Sequence, residues 1–146
     1  MGKVNATIDV GAPQEKVWET ISDPAQYEKW LTIHTKWKDG TPEAFTEGAQ
    51  VAEVVTMLGM ANTITWTVEE FDAPARMRIS GTGMAGVRST FTLEVASDGN
   101  GGSKVGMDAE FEGQMIAGAL GLAVEKDARE QLEASLEKFS ELVAAQ

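Results

Sequence analysis

From about residue 47 to residue 112 the chain runs through successive short segments rich in Val, Thr, Ile and aromatic residues, and one long segment of helical period follows. This succession constrains the fold more than any other feature. A sheet with one wet and one greasy face must bury the greasy one, and only an element about as long as the sheet can cover it. The segments GAQVAEVVTML and NTITWTVEEF are joined through Gly59, Met60 and Ala61; RMRISGTG, GVRSTFTLEVAS and SKVGMDAEFE follow, divided by AP, GMAG and DGNGG. Such turn signals predict an antiparallel meander. Period two places Ile64, Trp66 and Val68 on one face, and likewise Met77 with Ile79, Phe91 with Leu93 and Val95, and Val105 with Met107 and Phe111. Arg76, Arg78, Arg88, Lys104, Asp108 and Glu110 alternate with them and face the other way.

The cover is predicted over roughly 115–144, where Leu120, Val124, Leu132, Leu136, Phe139 and Val143 follow the helical repeat. Gly113, Gly118 and Gly121 cluster at its start. Either backbone comes close to a cavity mouth there, or a loop precedes a helix that begins only near Gly121. At the other end of the chain, Val4, Ala6, Ile8 and Val10 alternate as a half-buried first strand that stops at Gly11. Two short helices should follow, one opened by Pro13 with Val17, Trp18 and Ile21 at helical spacing. The second is capped by Asp23 and carries Tyr27, Trp30 and Leu31 as its apolar stripe.

A length of 146 residues suits one domain spanning 1–146. With 42% hydrophobic and 24% charged residues the composition is globular, and no apolar run is long enough for stable membrane insertion. The opening MGKVNATIDV lacks the apolar core of a signal peptide, so the expected location is the cytoplasm. A formal net charge of −11, with no concentration of Lys or Arg, argues against nucleic acid as a partner. There is no cysteine, which excludes disulfides and thiolate chemistry.

His34 is the one histidine. It has no evident nucleophile or orienting acid, and with one histidine and no thiolate a metal shell would rest on carboxylates. No catalytic residue, metal or cofactor is therefore expected. His34 is read either as a hydrogen-bonded structural residue beside Trp30 and Trp37 or as a polar contact at a cavity mouth. The methionines are more suggestive. Met57, Met60, Met77, Met84, Met107 and Met115, with Trp66, make a soft, adaptable lining for an apolar ligand, although each alone also suits ordinary core packing. Shared parity predicts one cavity bordered by Trp30, Trp37, Trp66, Met77, Phe91, Met107 and Phe111, with Leu120 and Val124 facing them from the helix. His34 and Ser89 would supply its polar groups.

The opening VNATIDVGAPQEKVWETISDPAQYEKW, with its Ala-Pro, Val-Trp, Ser-Asp-Pro and Tyr-x-x-Trp steps, resembles the START-like superfamily, also called SRPBCC, and the resemblance covers the whole chain. It implies an α+β helix-grip fold like that of the birch pollen allergen: a curved seven-stranded antiparallel sheet around a long C-terminal helix, with two short helices after the first strand. The segments WLTIHTKW, LGMANTITWTV and GTGMAGVRSTFTLE look like those of a bacterial branch whose members are labelled toxins of type II toxin–antitoxin pairs. Three functions follow from the resemblance. The first is non-enzymatic binding or carriage of a lipid or polyketide-like molecule. The second is a toxin acting through its surface on a target, with an antitoxin protein as partner, and the third is a cyclase or dehydratase.

Overall fold

A computed structural model describes residues 2–83, 86–114 and 118–146. Strand β1 (Gly2–Val10) leads into α1 (Gln14–Ile21), a single 3-10 turn (Pro24–Gln26) and the one-turn α2 (Tyr27–Trp30). Strands β2 (His34–Trp37), β3 (Gln50–Met57), β4 (Met60–Asp72), β5 (Arg76–Thr82), β6 (Arg88–Ser97) and β7 (Ser103–Glu112) follow, and α3 (Gly118–Ala144) closes the chain. The strands form one antiparallel sheet in the order β1-β7-β6-β5-β4-β3-β2. This is the helix-grip architecture.

Sequence period translates directly into burial. Ile64, Trp66, Val68, Met77, Ile79, Phe91, Leu93, Val95, Val105, Met107 and Phe111 are all buried on the concave face. Register stacks them across strands, with Ile79 opposite Phe91 and Leu93 opposite Met107. Asp23 caps as expected, its Oδ1 accepting the Ala25 N–H at 3.0 Å. The hairpin between β3 and β4 is tighter than the expected Gly59–Met60–Ala61 link: Met60 already pairs with Met57, and the turn is Leu58–Gly59, both at positive φ (51° and 73°). A two-residue type I′ turn requires positive φ at both positions.

The long helix is not buried along its whole length. Ala128, Leu132, Ser135, Leu136, Phe139 and Val143 are buried, whereas Leu120 and Leu122 are exposed and Val124 is only partly covered. Its second half is fastened to α2 and to the segment that follows it. Phe139 meets Trp30 edge-to-face at 5.3 Å, and Ser135 Oγ accepts the Thr32 N–H at 2.9 Å. The first half stands over the sheet at its β3–β4 end, where Asp127 Oδ2 accepts the Leu58 N–H at 3.2 Å. Gly118 is not explained by close approach, since a Cβ there would meet nothing within 4 Å. Its φ of +61° is the reason for a glycine.

Gly81 shows the opposite constraint. It sits across from Trp66 in the β4–β5 ladder, and a Cβ on it would collide with the Thr65 carbonyl oxygen and lie 2.7 Å from Ile64 Cγ2. The missing side chain lets Trp66 and its neighbours close the sheet's curve. Gly81→Ala should therefore lower stability by about 1–3 kcal/mol through overpacking, read as a lower denaturant midpoint. An unchanged midpoint would show that the strands part there at no cost.

Candidate functional site

Between the first half of α3 and the concave sheet lies a cavity with about 350 Å³ of room for the centres of water-sized molecules. Its walls come from Ile33, from β3 and β4 (Val55, Met57, Met60, Asn62, Ile64, Trp66), from the Leu58 turn, and from β6 and β7 (Ser89, Phe91, Phe111). Val87, Leu120 and Val124 complete them. The lining is almost wholly apolar because period two directs every second residue of these strands inward. Leu58, Met60 and Leu120 are exposed as well as lining, so apolar side chains mark the cavity's mouth.

A second, much smaller chamber lies deeper, with about 20 Å³ of such room, between Tyr27, Trp30, Leu31, Ile33, Glu53, Trp66, Met77, Ile79, Phe91, Leu93 and Met107. Ile33, Trp66 and Phe91 border both spaces. The residues expected around one cavity are thus distributed. Trp66, Ser89, Phe91, Phe111, Leu120 and Val124 line the large space, while Trp30, Met77 and Met107 line the small one beside Trp66 and Phe91. His34 and Trp37 border a separate, more polar depression with Pro24, Glu28 and Thr41. Met84 and Met115 lie outside the described residues.

Glu53 had no signal in the sequence beyond its position in a strand, yet it is 2% exposed. Its Oε2 is hydrogen-bonded to His34 Nδ1 at 2.5 Å, and its Oε1 accepts the Trp66 indole N–H at 2.8 Å. A buried carboxylate is tolerated only with such partners. Register brings them together: His34 pairs with Val55 across β2–β3, and Glu53 pairs with Ile64 across β3–β4, two residues from Trp66. Neighbouring indole and phenol rings enclose the pair, Tyr27 and Trp37 lying 6.0 Å and 5.1 Å from the His34 ring. Among the described residues, no three or more His, Asp or Glu side chains gather closely enough to ligate a metal ion.

Burial, and next the negative charge of Glu53, push the Tyr27 phenol well above its ordinary value of 10.0. Above pH 10 the unfolded chain gives up this proton and the folded chain keeps it. Stability should therefore fall as pH rises past 10, while below 10 the group has no effect. Tyr27 is the one tyrosine, so phenolate absorbance reads it without interference. It should appear together with unfolding; phenolate forming near pH 10 in a folded protein would contradict the geometry. At the cavity mouth, Leu58→Asn should relieve the left-handed backbone and raise stability by about 0.5–1 kcal/mol in chemical denaturation. A fall would mean that the Leu58 side chain contributes more than its backbone costs.

A family profile described as polyketide cyclase / dehydrase and lipid transport matches residues 1–144. Toxin Rv0910 of Mycobacterium tuberculosis (strain ATCC 25618 / H37Rv) is 34% identical over 139 residues, covering 95% of this chain and 96% of that protein. Uncharacterized protein Rv1546 of the same strain is 32% identical over 142 residues, covering 97% and 99%. Among solved structures, a START superfamily protein from Mycobacterium smegmatis superposes with a TM-score of 0.76 at 18% identity, covering 99% of each chain. Protein CV1439 from Chromobacterium violaceum gives 0.74 at 16% identity, covering 98% of each. These solved structures share the fold. By sequence, this chain belongs to the polyketide cyclase/dehydrase and lipid transport family, and its architecture is the START-like fold.

Proposed function

We propose that this chain is a cytoplasmic, single-domain binder or carrier of a small hydrophobic molecule, lipid or polyketide-like, held between the sheet and the first half of α3. The observation that carries this reading is the apolar cavity of about 350 Å³. Its size is in the range of small-molecule sites, and its walls offer dispersion and desolvation with few polar contacts. Trp66, Phe91 and Phe111 give it a rigid aromatic floor, with Trp66 and Phe91 edge-to-face at 5.5 Å and Phe91 and Phe111 at 6.1 Å. Met57, Met60, Leu120 and Val124 give it a flexible rim, which lets ligands of different shape be covered. Ser89 is its inward-facing hydroxyl. No helix among the described residues is long and apolar enough to cross a membrane.

A second reading draws on the relative named Toxin Rv0910. A toxin would meet its target, or an antitoxin, through a surface rather than a cavity. Among the described residues, the exposed Leu58, Met60, Leu120 and Leu122 are the large apolar side chains available for that.

One variant separates the two. A neutral apolar fluorophore should bind the wild type at about micromolar strength, near −8 kcal/mol. Ser89→Phe places a ring in the cavity and should weaken that binding at least tenfold while preserving the circular-dichroism spectrum. Wild-type protein that binds no fluorophore would remove the carrier reading. Growth inhibition on expression that survives Ser89→Phe would favour the surface-acting toxin.

A further inference from the structure

We propose that the Ser89 hydroxyl, at the floor of the large cavity, selects apolar molecules with an uncharged carbonyl oxygen inside their skeleton over plain hydrocarbons and over ionised acids. The proposal rests on the cavity reading above and adds the ligand's chemical class. Register sets out the floor as one row across four strands: Trp66 pairs with Gly81, Gly81 with Ser89, and Ser89 with Phe111. Directly paired residues share a face of the sheet, so Gly81 lies between the indole and the hydroxyl. Having no side chain, it leaves Ser89 uncovered from β5. A Cβ at Gly81 would strike the Thr65 carbonyl oxygen, so this gap is built into the sheet.

The hydroxyl has no protein partner among the described residues, where the side-chain atoms sealed off without a partner are Gln26 Oε1, Trp30 Nε1 and Arg78 Nε. Ser89 Oγ is not one of these, so it keeps open surface. Because Ser89 is 4% exposed and forms part of the cavity wall, that surface faces the cavity. Its proton is therefore free to be donated to a ligand. The Trp66 indole N–H beside it is already donated to Glu53. No ionisable side chain stands in the cavity wall. A carboxylate carried down to Ser89 would exchange its hydration for one hydroxyl and no cation. At the mouth, the group that ties the Leu58 turn to α3 is itself a carboxylate, Asp127, which repels an anion left at the rim.

The test is displacement of the neutral fluorophore from the full chain at neutral pH by diphenylmethane, by benzophenone, which has a carbonyl in place of the methylene, and by 4-benzoylbenzoate. The ratio of benzophenone's affinity to diphenylmethane's should be about fivefold higher in the wild type than in Ser89→Ala, the scale of one hydrogen bond. Ser89→Cys, whose thiol is a weak donor, should give an intermediate ratio. 4-Benzoylbenzoate should bind the wild type roughly tenfold more weakly than benzophenone, or worse, because its charge is left without a partner. If the fluorophore binds but the ratio is the same in the wild type and Ser89→Ala, Ser89 only packs and the proposal falls alone. It also falls if 4-benzoylbenzoate binds as tightly as benzophenone. If the fluorophore does not bind, the cavity reading falls and takes this one with it.

Discussion

The architecture depends on a helix whose buried face begins only at Ala128. Buried Leu132, Leu136, Phe139 and Val143 seat the second half of α3, and Thr32 with Ser135 and Trp30 with Phe139 fix its position against α2 and the segment that follows it. The strands curve around that contact. Because the first half of the helix carries Leu120, Leu122 and Val124 without enclosing them, the concave face opposite stays open and becomes the cavity. Had apolar residues continued inward along the whole helix, the same sheet would enclose an ordinary filled core.

A second constraint is the carboxyl of Glu53. It orients the Trp66 indole from inside the sheet and ties β3 to His34 on the edge strand β2. Trp66 in turn stands between the large cavity and the small chamber. An aromatic wall held by a hydrogen bond has a fixed orientation, whereas the methionine and leucine side chains at the rim are held by packing alone. The site thus joins a rigid floor to an adaptable entrance.

Much of this was legible in the sequence because it follows from periodicity. Alternation placed Trp66, Phe91 and Phe111 on one face, and helical spacing placed Leu120 and Val124 opposite them. Parity gives the face of a residue and not its depth along the sheet. Trp30, Met77 and Met107 accordingly share the right face with the cavity residues yet sit in the deeper chamber, and His34 and Trp37 border a different depression. Glu53 was invisible for another reason. A lone Glu in a strand reads as solvent-facing, and its burial is decided by partners 19 residues before it and 13 residues after it. The Leu58 turn was misplaced by a residue because leucine at positive φ runs against its own propensity, and the hairpin register overrides it.

The central claim, that an apolar ligand occupies the space between the sheet and the first half of α3, is tested most directly by methyl-resolved NMR of the protein with a bound alkyl ligand. Nuclear Overhauser contacts should connect the ligand's chain to Val55, Met57, Ile64 and Val124, while the buried methyls of Leu132, Leu136 and Val143 stay unperturbed. Contacts confined to the exposed Leu122, with none to Val55 or Ile64, would place the ligand on the surface and contradict the account.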